Sequence, residues 1–81
     1  MGRMALSADR IERAQELGAR LRSARVSAGL SREQVVRSTD LSVETLRKIE
    51  RGMSKTPELY SVVAIAQVLK LDLNELCDGL V

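Results

Sequence analysis

The 81-residue chain has no phenylalanine, no tryptophan and no histidine, and it carries one tyrosine, one cysteine and one proline. Each shortage removes a class of function. Without histidine, and with Cys77 as the single thiol, the residues for a histidine/cysteine metal site or a histidine-based catalytic dyad are missing. An internal disulfide is excluded as well, which suits a reducing cytoplasm. Tyr60 alone gives no stacking platform for single-stranded nucleic acid. There is no glycine-rich phosphate loop. The longest uncharged stretch, Leu59 to Leu69, is about half the length needed to cross a bilayer. No apolar segment follows Arg3, so no secretory signal is expected. What remains is a cytoplasmic, cofactor-free and metal-free protein that is not an enzyme.

What the chain does have is aliphatic residues, with 44% of positions hydrophobic. Its length suits one core and is too short for two. Leucine, valine, isoleucine, alanine and methionine must build that core. The net charge of +2 hides an uneven distribution. From Arg20 to Lys55 nine basic residues face four acidic ones; from Thr56 onward Lys70 stands against Glu58, Asp72, Glu75 and Asp78. A basic middle and an acidic end suit one face for a polyanion and another for a different partner.

Helix signals recur along the sequence. Asp9 with Glu12 reads as a capping box, followed by Ile11, Ala14, Leu17, Leu21, Ala24 and Ala28 in one apolar stripe. Ser31 with Gln34 forms a second box, stapled by Leu30 and Val35. Ser42 is an N-cap with Leu41 and Leu46 as its staple. Thr56-Pro57 places a cap before a proline at the first helical position. Asp72 with Glu75 forms a last box, and Gly29, Gly52 and Gly79 sit where helices close. The expectation is an all-α fold: an arm at 1–9, a domain at 10–79 with helices over 10–28, 32–38, 43–51, 57–69 and 73–78, and a tail at 80–81. No segment alternates with period two, so no strand is expected.

The second and third helices are separated by only about four residues, a connection that makes them cross steeply. On the third, Leu46 and Ile49 point to the core. Glu44, Arg47, Lys48 and Arg51 share the opposite face. Such a face is often just solvated; combined with the short turn and the basic middle of the chain, it suits the major groove of duplex DNA.

These residues resemble the Cro/cI-type (XRE) helix-turn-helix regulator family. The likeness runs from about Leu17 to Leu76. It is carried by Leu17-Gly18-Ala19-Arg20-Leu21-Arg22-Ser23-Ala24-Arg25, by Gly29-Leu30-Ser31, by the run Leu41 through Gly52, by Thr56-Pro57-Glu58-Leu59, and by Leu71-Asp72-Leu73-Asn74-Glu75-Leu76. The resemblance implies a compact, lambda-repressor-like five-helix bundle whose third helix reads double-stranded operator DNA. Base contacts would fall on Val43, Glu44, Thr45, Arg47 and Lys48. Phosphate contacts would fall on Ser31, Arg32, Arg51 and Lys55. Arg25 and Glu50 match a family pair that joins the first helix to the third inside the domain. The sequence departs from the family pattern at Arg32, usually Gln, at Asp40, usually Gly, and at Val36, usually Ala. By analogy with relatives, a homodimer would form through Leu73, Leu76, Cys77, Leu80 and Val81, setting two reader helices about 34 Å apart. A second reading, an antitoxin that binds a protein partner and autoregulates, lacks the long disordered tail that would wrap a toxin.

Overall fold

A computed structural model describes residues 2–53 and 57–80, with side chains from Asp9 onward. The described residues form five α-helices and no strand: α1 (Gly2–Ser27), α2 (Arg32–Val36), α3 (Val43–Glu50), α4 (Leu59–Leu69) and α5 (Leu73–Leu76). The all-α five-helix expectation holds; several boundaries move. α1 runs straight through Asp9 instead of starting there. Arg3, Met4, Ala5, Leu6 and Ala8 are all tolerated in helices, and nothing before Asp9 breaks the chain. Asp9, expected as a cap, instead stands 3.9 Å from Arg13 one turn on.

The caps of the two central helices are those expected from local spacing. Ser31 Oγ accepts from the Gln34 N–H at 3.1 Å, and the Ser31 N–H donates to Gln34 Oε1 at 2.8 Å, completing the box. Ser42 Oγ accepts from the Thr45 N–H at 3.1 Å. Leu30 and Leu41 lie partly buried against the cluster that holds Val35 and Leu46, as a staple requires. At α5 the cap is one-sided: Asp72 accepts from Asn74 and Glu75, and no return bond from Glu75 accompanies it among the described residues.

Helix ends follow one scheme. Gly29 has φ +72°; its N–H reaches the Val26 carbonyl while the Leu30 N–H reaches that of Arg25. Gly52, at φ +68°, closes α3 the same way through Ile49 and Lys48. α4 closes on a residue the sequence did not flag. Lys70 takes the left-handed conformation, φ 58°, that glycine occupies elsewhere. Its start shifts too: Pro57 is not the first helical residue, because Glu58 is the extended N-cap and Val62 makes the first bond back to the Glu58 carbonyl. Thr56, the expected cap, lies outside the described residues.

The core is one cluster built from every element. Leu21 of α1, Val35 of α2, Leu46 and Ile49 of α3, Val62, Ile65 and Ala66 of α4 and Leu76 of α5 are all buried in it. Full burial of a Leu, Ile or Val side chain contributes roughly 1.5–3 kcal/mol, so aliphatic residues suffice without large aromatics. The most extensive helix pairing is α1 against α3, and Gly18 makes it possible. A Cβ there would collide with the carbonyl oxygens of Ile49 and Glu50, which are backbone atoms with no freedom to move aside. α3 therefore ends directly on the α1 backbone.

Candidate nucleic-acid interface

The turn between α2 and α3 spans residues 37–42 and sets the tilt of α3. It is longer than the four residues expected, because α2 stops at Val36. Thr39 organises it: its hydroxyl donates to the Val36 carbonyl at 2.9 Å and accepts from the Leu41 N–H at 3.1 Å. Asp40, at the family's usual glycine position, is exposed and does not adopt a positive φ. The turn is held by the Thr39 side-chain bonds without a left-handed residue at position 40.

α3 then separates its residues by face. Leu46 and Ile49 are buried in the core, and Glu50 is buried at its edge. Glu44, Lys48 and Arg51 are exposed, and the Arg47 side chain keeps 43% of its surface open. Val43 and Thr45 are half-buried on the first turn. The Thr45 hydroxyl shares a 2.9 Å hydrogen bond with that of Ser42, so it belongs to the cap as much as to the outer surface. The outward face thus brings Glu44, Arg47, Lys48 and Arg51 together, and among the described residues no other element covers its cations.

Two ion pairs on this helix behave differently. Glu50 is 1% exposed at its side chain and is held by two arginines. Arg25 offers a fork, Nε to Oε2 at 2.7 Å and Nη2 to Oε1 at 3.1 Å, while its Nη1 donates to the Leu30 carbonyl at 2.9 Å. Arg32 adds Nε to Oε1 at 3.0 Å. The Arg25–Glu50 pairing is as the sequence suggested; the Arg32 bond is an addition that spacing along the chain did not reveal. It turns Arg32 toward α3, with its side chain still partly exposed. Among the described residues no buried side-chain polar atom lacks a partner. Buried charges are tolerated on that condition.

The second pair lies on the surface. Arg47 Nη2 donates to both Glu44 oxygens at 2.7 Å. That hydrogen bond is the main reason the Glu44 carboxyl sits below its ordinary value of 4.5; desolvation opposes it, and the charges of Arg47, Lys48 and Arg51 add to it. The same bond pushes the Arg47 guanidinium up.

Other sequence-derived site residues are dispersed. Ser31 is exposed at the start of α2, with its oxygen accepting within the cap. Lys55 and Val81 lie outside the described residues. The apolar patch expected on α5 is largely consumed by the chain itself. Leu76 is buried in the core, and Leu80 is buried beside Ala14, Leu17 and Pro57. Arg20 explains the docking: its Nη1 donates to the carbonyls of Leu76 at 2.8 Å and Asp78 at 2.6 Å, tying α5 to α1. Leu73 stays exposed and Cys77 half-buried. Among the described residues the most open large apolar side chains lie elsewhere, in Leu59 at 77%, Met53 at 63% and Tyr60 at 61%.

Among the described residues no helix is long and apolar enough to cross a membrane, and no cluster of potential metal ligands occurs. The family model described as a helix-turn-helix domain matches residues 16–77, which takes in the α1–α3 seam, the outward face of α3 and α5. No curated protein matches the chain significantly.

Proposed function

Since the chain belongs to the helix-turn-helix domain family, we propose that it is a sequence-specific regulator of transcription, of the Cro/cI (XRE) type, that binds double-stranded operator DNA in the cytoplasm. The observation that carries this reading is the open face of α3, where Arg47, Lys48 and Arg51 project while Leu46 and Ile49 anchor the helix from behind. A short helix held this way fits the major groove.

Residue chemistry assigns the parts. Arg47 and Lys48 match the acceptor edge of guanine, Val43 a thymine methyl, and Thr45 lies at the margin of the reading surface. Ser31, Arg32, Arg51 and Lys55 contact phosphates, which positions the domain without specifying sequence. Arg32 reaches phosphate while its Nε stays on Glu50, so it braces the reader helix from the side. The protein acts as a homodimer on an inverted repeat. Its twofold contact lies on exposed apolar residues, Leu59 and Tyr60 on the first turn of α4 and Leu73 on α5, rather than on Leu76 and Leu80, whose burial within the monomer removes them from such a surface.

Selection of binding sites from random duplex DNA with the purified chain tests the reading. The expected result is an inverted repeat bound with steep salt dependence, as phosphate neutralisation requires. Absence of any enriched sequence would overturn sequence-specific binding. Enrichment of a lone half-site, with only monomer in sedimentation, would remove the dimer and leave the reader.

A further inference from the structure

The reader face carries one anion among its cations, and its placement is specific. Both Glu44 oxygens accept from the same nitrogen of Arg47, at 2.7 Å each. A guanidinium can present a two-pronged edge to guanine O6 and N7 either end-on, through Nη1 and Nη2, or side-on, through Nε and Nη2, so both edges include Nη2. With Nη2 engaged by Glu44, the fork is partly occupied before DNA arrives. Resting on the DNA-reading assignment above, we infer that Glu44 is a specificity-determining positioning residue that acts through Arg47: it withholds the guanidinium from backbone phosphates and yields or shares it at a guanine.

The argument follows from charge. A phosphate approaching Arg47 also meets the Glu44 carboxylate, and like charges at this distance oppose the approach. The phosphate's charge-assisted bonds to the guanidinium are strong, but they form only by placing a second anion beside the Glu44 carboxylate. A guanine edge presents two neutral acceptors in a fixed geometry, which replaces that bond without adding an anion next to Glu44. Where no guanine O6/N7 edge faces Arg47, the Glu44–Arg47 pair therefore stays closed. The one residue that lowers the positive charge of the reading face thereby sharpens discrimination.

A double-mutant cycle on DNA binding separates this role from its competitors. Wild type, Glu44→Gln, Arg47→Ala and the double variant are each titrated with a duplex selected by the wild type and with a random-sequence duplex of equal length. The readout is the ratio of the two affinities, because a simple charge change shifts both equally. Glu44→Gln is expected to lower that ratio about fivefold to tenfold, mainly by tightening the random duplex, the lower end of what one good base contact discriminates. In the Arg47→Ala background the same substitution is expected to leave the ratio within about twofold. An unchanged ratio for Glu44→Gln would overturn the inference. So would an equal drop with and without Arg47, which would make Glu44 a direct reader of a base such as cytosine. Failure of the wild type to bind any duplex at low salt would overturn the DNA-reading assignment itself, a different result from either.

Discussion

The two faces of α3 use the same chemistry, an acidic residue held by arginine, under opposite conditions. At its core edge Glu50 is almost fully enclosed and takes three hydrogen bonds from Arg25 and Arg32. On the outer face Glu44 keeps 52% of its side chain open and bonds Arg47 alone. Enclosure makes the first pair costly to break, since removing one partner strands a charge away from water. Exposure makes the second contribute little to folding, because water and salt screen it. One pair therefore fixes where the helix lies, and the other is free to be exchanged for a ligand.

The contrast is broken most severely at its buried end. Glu50→Ala is expected to destabilise the fold by about 3–5 kcal/mol, because Arg25 would be left buried without its anion. Chemical denaturation of the variant checks this; a loss no larger than that of a surface substitution would mean the seam does not depend on the pair. Gly18→Ala tests the same seam without touching a charge. Added volume against the Ile49 and Glu50 carbonyls is expected to cost roughly 1–3 kcal/mol, and thermal melting measures it. If the melting temperature holds, the two helices separate more readily than their contact suggests.

On the exposed face the expected losses move from folding to binding. Arg47→Ala should leave stability within about 0.5 kcal/mol of the parent. It should weaken the selected duplex roughly 5- to 150-fold and relax preference at one position. Equal weakening on selected and random duplexes would show that Arg47 only neutralises phosphate. The smallest effect is that of pH. The Glu44 carboxyl is depressed by its Arg47 hydrogen bond and by the charges of Arg47, Lys48 and Arg51. A carboxyl lowered on folding contributes above its unfolded value and loses that contribution as pH falls through the lowered one. Between neutrality and 4.5, then, the pair stays intact and its contribution stays flat, fading only below. Carboxyl NMR titration should place the Glu44 midpoint below 4.5 in the parent and higher in Arg47→Ala. Identical midpoints in the two proteins would mean that the surface pair does not persist in solution.

Features set by near neighbours were legible from spacing. The Ser31–Gln34 box, the Ser42 cap, the glycines at 29 and 52 and the division of α3 into two faces all depend on residues a few positions apart. The start of α1 was misread because Asp9 resembles a cap, yet a cap acts only where the chain before it leaves the helix, and Gly2 to Ala8 do not. Lys70 carried no signal, since a lysine has no preference for the left-handed region and holds it only where α4 and α5 must both reach the shared core. The Arg32–Glu50 bond and the role of Gly18 were also hidden. Both depend on how α1, α2 and α3 cross, and residues 18 or 32 positions apart have no fixed relation until they do.

Sequence by itself determined the class of the molecule: helical because its caps and apolar period are local, with a core of aliphatic residues because phenylalanine and tryptophan are missing. Tertiary structure alone decided which charges are spent inside and which remain for a partner. It turned Arg32 toward Glu50, folded Leu76 and Leu80 into the monomer, and left Arg47 and Lys48 in the open. The physical reason is that burial is a property of crossing helices, and a charge or a methyl group acquires its value only from what encloses it.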